Sequence, residues 1–349
     1  MRATSKGRAA SKPVWRATMK DVAAQLGISI STVSRALNNN PALSPKTIER
    51  VRNAAERSRY IRNNVARGLA LKRSQLIGLI VSDISNPFFA EIARGAYDAA
   101  QSQGYVLTLA STGRNVEKEE ELSKALLEYR VDGLILAGGT MGAEHLKRLR
   151  AKGVPFVVGG RPPVEGIPTV TVDNVAIGYQ ATKYLIDLGH KEIAFVSGPP
   201  ESAASQQRLM GYEHAMYGHK LNPTVVDGDF TMKRGFSLAT ELSAKKKHPS
   251  ATLAANDLMA IGLILGLSNL GFRVPEYMSV AGCDDIPMAA LITPTLTTMK
   301  VPMYEIGSRA MERLIAILKG DGELTSQTIL LGSELVIRDS TAGVSQNSD

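Results

Sequence analysis

Cysteine is all but missing from this chain. Cys283 stands alone among 349 residues, which excludes an internal disulfide and fits a reducing compartment. A small buried residue at a strand end is the expectation for it, rather than a reactive thiol. Long apolar runs are also absent: no stretch approaches the roughly 20 residues needed to span a bilayer. Residues 1–16 carry basic residues but no apolar core of a signal peptide, so a cytoplasmic protein with no membrane partner is expected. Chemical signatures are as sparse. No phosphate-loop pattern occurs, Gly138-Gly-Thr-Met-Gly142 fails the dinucleotide spacing, and no Gly-x-Ser-x-Gly elbow is present. The five histidines lack metal-like company; His214 and His219 are five apart and diverge on a helix. No catalytic residue, metal or cofactor is therefore expected.

What the chain does have is an uneven charge. Residues 1–75 hold 16 Lys and Arg against 3 Asp and Glu, a net of +13, while the remainder holds 25 against 30, a net of −5. A basic block fused to an acidic remainder implies one part that meets phosphates and one that does not. The length allows two to three domains, and 44% hydrophobic content is ordinary for a globular chain.

Within the basic block, Thr18 to Asn38 reads as two short helices joined by a tight turn. Thr18 and Asp21 form a capping-box arrangement, with Val22, Ala23 and Leu26 on one apolar face. Gly27 suits the positive φ just past a helix end, and Ser29 caps the next helix immediately. In that second helix Val33, Ala36 and Leu37 pack inward, which turns Ile30, Ser31, Ser34 and Arg35 outward near its start. A helix-turn-helix presents this end to base edges in the major groove. With Thr18, Ser29 and Asn38 at the helix ends, these residues are the candidate DNA-binding surface. Arg pairs bidentately with guanine and an apolar Ile30 suits a thymine methyl. Ser44-Pro45 then starts a third helix, with Ile48, Val51, Ala54 and Ala55 on one face. Residues 1–16 form a basic arm, 17–62 the headpiece, and 63–74 a short basic amphipathic helix.

From Leu76 onward short apolar strands alternate with helices: Leu76–Asp83, Tyr105–Ala110, Gly133–Ala137, Pro155–Val158 and Thr169–Val172, then Glu192–Ser197, Thr224–Asp227, Ala251–Ala255 and Met278–Cys283. Near-continuous apolar strands between helices argue parallel sheets covered on both faces. Two doubly wound lobes follow, with a cleft at their strand ends. The fold class is α/β: a three-helix headpiece and a short basic helix, then two doubly wound lobes.

The blocks Lys20-Asp-Val-Ala, Gly27-Ile-Ser-x-x-Thr-Val-Ser-Arg35, Val65-Ala-Arg-Gly-Leu69 and Asp83-Ile-Ser-Asn-Pro-Phe-Phe89 resemble the lactose and galactose repressor family over about 320 residues. The resemblance implies a periplasmic-binding-protein-like sensor at 75–341, one lobe from 75–174 with 302–331 and the other from 175–301 with 332–341, before a tail at 342–349. It assigns Ile30, Ser31 and Arg35 to base reading and Leu69 to a hinge wedge in the minor groove. Phe88, Arg208, Phe230, Asn256 and Asp284 fall on effector-contacting positions. These residue types suit a hydroxylated ring, since carboxylates, Asn and Arg hydrogen-bond hydroxyls and Phe covers an apolar face. Asp257 and Asp285 read instead as caps of the helices that follow.

The chain departs from the family where Arg59 replaces a glycine before Tyr60, where Arg62-Asn63 replaces Pro-Asn, and where Gly160 stands for an aspartate before Arg161. The expected function is a DNA-binding transcriptional regulator, a repressor, controlled by a sugar, polyol or sugar acid. Expected partners are a palindromic operator, that effector and a second copy of the chain; the polar tail is too short for an apolar heptad coil, which stops assembly at a dimer. The rival is an α/β sugar-binding or sugar-converting protein with a basic tail, which would need an export signal or a nucleophile.

Overall fold

The computed structural model describes residues 17–61, 73–138, 143–244, 248–320 and 327–344, and the chain divides into two compact units at Ser74. The arm at 1–16 and most of the hinge segment, Leu69 included, lie outside the described residues.

The smaller unit holds α1 (Met19–Leu26), α2 (Ile30–Leu37) and α3 (Pro45–Arg57). Thr18 and Asp21 close a reciprocal capping box on α1, and Gly27 ends it at φ 67°. Ser29 caps α2 and Ser44 caps α3, whose first residue is Pro45. Val22, Val33, Ala36, Val51 and Ala54 are fully buried between the three helices, so each helix contributes to one small core. Arg59 does sit at positive φ, 52°. Its N–H bonds the Glu56 carbonyl at 2.9 Å while Tyr60 N–H reaches back to Ala55 at 2.8 Å. That paired closure of a helix end requires a left-handed residue, a place where glycine avoids a cost of roughly 1–2 kcal/mol.

The larger unit is built on two six-stranded sheets. One runs in the order β11-β5-β4-β3-β1-β2, the other β12-β10-β9-β8-β6-β7. The first comprises β1 (Leu76–Val81), β2 (Val106–Ser111), β3 (Gly133–Ala137), β4 (Phe156–Gly159), β5 (Thr169–Val172) and β11 (Thr328–Leu331). The second comprises β6 (Ile193–Val196), β7 (Thr224–Val226), β8 (Ala251–Ala254), β9 (Ser279–Asp284), β10 (Thr297–Lys300) and β12 (Glu334–Val336). All pairs are parallel except β10 with β12. The chain therefore passes between the sheets three times: after β5, after β10 and after β11. The periodicity reading misses β10, β11 and β12. The latter two are sheet-edge strands of four and three residues without a fully buried run, and β10 opens on two threonines, so none stands out as an apolar strand.

Helices cover both sheets: α4 (Pro87–Ser102), α5 (Val116–Glu128), α6 (Ala143–Ala151), α7 (Asn174–Asp187), α8 (Ala203–Gly218), α9 (Met232–Ser243), α10 (Asp257–Asn269) and α11 (Met303–Lys319). Three helix pairs cross at reciprocal glycines. In α7 with α8, a Cβ on Gly178 would fall on the Arg208 carbonyl oxygen and one on Gly211 on that of Val175. The pairs α4 with α11 and α9 with α10 cross in the same way. The backbones touch, and Arg208 is anchored at such a crossing. Among the described residues no helix is long and apolar enough to cross a membrane.

Candidate functional site

In the headpiece the start of α2 carries a hydroxyl cluster. Ser29 Oγ accepts from Thr32 N–H at 3.1 Å and shares hydrogen bonds with the Ser31 and Thr32 hydroxyls at 2.7 and 2.8 Å. Ile30 is 47% exposed, large for an apolar side chain beside a core, while Ser31 and Arg35 are exposed and Ser34 is half-buried. Asn38 Nδ2 donates to the Ser34 carbonyl at 2.9 Å, and Thr18 is engaged with Asp21. So Thr18, Ser29 and Asn38 set helix ends, and Ile30, Ser31 and Arg35 form the outward face. Two nearby basic residues are spent internally: Arg50 donates to the Leu26 carbonyl and Arg52 to Asn39.

The larger unit encloses a cavity of about 320 Å³ lined from both sheets, and Phe88, Arg208, Phe230, Asn256 and Asp284 all line it. Five residues from widely separated segments thus converge. Arg208 is buried, its Nε donating to Asn174 Oδ1 at 3.0 Å and its Nη1 to the Ala255 carbonyl at 2.5 Å and to Asp284 Oδ1 at 3.3 Å. Asn256 caps α10 through Met259 N–H and donates to the Phe230 carbonyl at 3.1 Å. Phe230 sits at φ 66°, Asp284 at 141° and Asp285 at 60°, so two cavity residues and a neighbour hold conformations that L side chains rarely adopt.

Asp257 and Asp285 are not helix caps. Asn256 occupies the cap of α10, and the Asp257 carboxylate instead accepts from Thr298 Oγ1 at 2.5 Å and Ile286 N–H at 2.9 Å. Asp285 pairs with Arg338 at 2.6 Å. The strained Asp284–Asp285 turn is therefore gripped from β10, α10 and the segment after β12. Burial pushes the carboxyls of Asp284 and Asp257 up from their ordinary value; Arg208 opposes the shift at Asp284 while the Asp257 carboxylate adds to it, and at Asp257 the hydrogen bond from Thr298 opposes the shift while the Asp285 carboxylate adds to it. Burial likewise pushes the Cys283 thiol up to about 12, the inert state expected of it.

On the first sheet's side, Asn86 Oδ1 accepts from Phe88 N–H, and the Phe88 and Phe89 rings meet edge to face at 5.1 Å. Sequence reasoning missed two arginines here. Arg114 pairs with Asp83 at 2.9 Å, donates to the Asp229 carbonyl of the other lobe, and lies 5.9 Å from the Phe230 ring centre. Arg161 pairs with buried Glu119, beside the Gly160 that departs from the family pattern. Leu146, Pro162, Pro163 and Val164 complete this wall. The departure at Gly160 was a usable signal for the wall; nothing in the sequence marks Arg114. The histidines divide: His145 and His190 are buried, the latter between the Ser250 hydroxyl and the Ala342 carbonyl, and among the described residues no group could hold a metal ion.

With this geometry established, known proteins place the chain in context. Residues 18–63 match the model of bacterial regulatory proteins of the lacI family, and residues 74–333 match that of periplasmic binding proteins and the sugar-binding domain of the LacI family. The chain is 36% identical to catabolite control protein A of Priestia megaterium over 329 residues, covering 93% of this chain and 99% of that one. It is 34% identical to the HTH-type transcriptional repressor CytR of Escherichia coli K12 over 337 residues, covering 95% and 98%. The lac repressor dimer bound to operator and the anti-inducer ONPF superposes with a TM-score of 0.86 at 29% identity, over 94% of this chain and 99% of that one.

Proposed function

The chain belongs to the lacI family of bacterial regulatory proteins, and on that premise we propose that a small molecule in the cavity controls how this DNA-binding transcriptional regulator engages a palindromic operator. It is a regulator rather than an enzyme, as its relatives are repressors. Two copies read two half-sites, because one headpiece contacts too few base pairs for specificity. Ile30, Ser31 and Arg35 read bases, with Ser34 beside them; Thr18, Ser29 and Asn38 orient the helix ends against phosphates, and Leu69 wedges into the minor groove. The protein works in the cytoplasm.

The effector is a sugar, polyol or sugar acid held by Arg208, Asp284 and Asn256 and covered by Phe88 and Phe230. The single observation supporting this is the convergence of those five residues on one cavity lined by both lobes. Closure on the effector shifts the population between arrangements of the lobes, and the shift reaches the DNA through the hinge. A ligand can move that equilibrium only by its differential affinity for the two states.

The experiment is a paired titration: effector by calorimetry and operator by gel shift, on wild type, Arg208→Lys and Leu69→Ala. A thermal-shift screen of sugars, polyols and sugar acids supplies the ligand, since one at 100 times its Kd adds about 2.7 kcal/mol. Arg208→Lys loses the two-pronged geometry and with it most effector response, while operator affinity without effector stays near wild type. Leu69→Ala does the reverse. Normal effector binding by Arg208→Lys would sink the cavity assignment.

A further inference from the structure

We infer that Arg59 holds a DNA phosphate, a contact that the glycine of the family pattern could not make. Arg59 closes α3 in the left-handed region, at φ 52°, with its N–H on the Glu56 carbonyl. It is exposed, and among the described residues no hydrogen bond or ion pair engages its guanidinium, although Glu56 lies only three positions back. Tyr60, the next residue, forms a bridge with Ala17. That bridge sets Arg59 next to the start of α1, at the point where both flanks of the headpiece leave it. Before Ala17 the chain carries five basic residues, and between Tyr60 and Gln75 it carries four, with no acidic residue in either stretch. An exposed cation in such company is repelled by its neighbours, and a polyanion laid across the junction turns that repulsion into attraction. The contact reads no base, because a phosphate is the same at every step of the duplex.

A cation just past a helix end also suits the helix dipole, and the chain uses that device elsewhere. Arg130 follows α5 at φ 59° and Lys220 follows α8 at φ 58°, both exposed. Each makes the same pair of backbone bonds as Arg59. Arg130 N–H reaches the Leu127 carbonyl at 2.9 Å and Val131 N–H that of Leu126 at 3.2 Å, while Lys220 N–H reaches Tyr217 at 3.0 Å and Leu221 N–H reaches Met216 at 2.9 Å. The closure therefore does not by itself mark a contact. What separates Arg59 is its setting: Arg130 and Lys220 belong to the larger unit, whose net charge is negative, and Arg59 to the basic unit that meets DNA. One local geometry in two electrostatic settings supplies its own control.

The test is fluorescence anisotropy of the full chain on a labelled random-sequence duplex of about 30 base pairs, at roughly 50 to 200 mM KCl, where binding to phosphates depends steeply on salt. Wild type is compared with Arg59→Gly, Arg59→Lys, Arg130→Gly and Lys220→Gly. Each phosphate contact adds about 0.9 to the slope of log affinity against log salt, so Arg59→Gly should lower the slope by about 0.9 for each headpiece on the duplex. At the low-salt end its affinity should fall by at least about threefold. Hydrogen exchange over α3 should meanwhile slow or stay as in wild type, since glycine relieves the left-handed backbone. Arg59→Lys keeps the charge and should keep the slope. Arg130→Gly and Lys220→Gly remove the same charge from the same geometry and should leave slope and affinity unchanged. The inference is overturned if Arg59→Gly leaves the slope alone, if either control lowers it equally, if Arg59→Lys does as much damage as Arg59→Gly, or if weaker binding comes with faster exchange in α3. It rests on the headpiece being the part that meets DNA: wild type without salt-dependent binding would sink both, whereas salt-dependent binding untouched by Arg59→Gly sinks the contact alone.

Discussion

The two lobes repeat one strand order and put it to different uses. Counting strands along each lobe, both sheets run sixth, fifth, fourth, third, first, second, and differ in hand only at the last strand, parallel in β11 and antiparallel in β12. Yet the ion pairs they set at the cavity are unlike. The second lobe's Arg208–Asp284 pair is buried, at 6% and 5% side-chain exposure; the first lobe's Arg114–Asp83 pair is partly open, at 21% and 22%. Shared topology fixes where strand ends lie, and side chains decide what is presented there. A buried pair cannot be broken without stranding a charge, whereas an open one exchanges its partner for water.

The contrast breaks most visibly at Arg208. At a pH above Asp284's raised value of about 8, Arg208→Ala should cost about 3–5 kcal/mol in urea unfolding, because the ionised carboxylate stays buried without its partner. A loss below 1 kcal/mol would mean that the carboxyl is held neutral and the pair matters little. Glycine crossings should rank next and should not distinguish the lobes: Gly211→Ala in the second and Gly307→Ala in the first each drive a Cβ onto a backbone carbonyl, of Val175 and Ile92 respectively. Each should destabilise by about 1–3 kcal/mol, read from the same denaturation curves.

Acidity sharpens the comparison a step lower. Asp284's folded carboxyl titrates above its ordinary value of 3.8, so the folded state binds the proton more tightly than the unfolded one. Its contribution to stability is therefore full below about pH 4 and declines as pH rises toward the raised value. Asp284→Asn should remove that decline, so the stability difference between variant and wild type should shift in the variant's favour from pH 5 to pH 8. A pH-independent difference would show that Arg208 holds the carboxylate charged. The smallest effect is expected at Arg114→Ala, about 0–1 kcal/mol of stability, since its pair with Asp83 is partly solvated. That variant also loses the contact to Asp229 across the cavity, so effector affinity should change more than stability does.

Much of this was legible because local rules and the fold agree. Thr18, Gly27 and Ser29 announce two helices and a turn through capping alone, and the structure places each in that role. Alternation of apolar runs with helices identifies nine strands. The rest hides for physical reasons. β10 and β12 pair with each other at the margin of a sheet, where three or four residues suffice and no apolar run is required. Asp257 and Asp285 precede helical turns and so look like caps; their partners, Thr298 and Arg338, lie 41 and 53 residues further on, a separation that no local pattern encodes. Arg114 is the same case across the cavity.

The reciprocal glycine crossings bear on how such a molecule can move. Where the backbone of α7 rests on that of α8, sliding one helix along the other would drive a Cα into a carbonyl almost at once, and the same stop operates in α4 with α11 and in α9 with α10. Each helix couple behaves as a single stiff plate fastened to its sheet. Slack is left to the three passages of chain between the sheets, so a ligand's pull is transmitted as displacement of a whole lobe instead of being absorbed as soft deformation inside it.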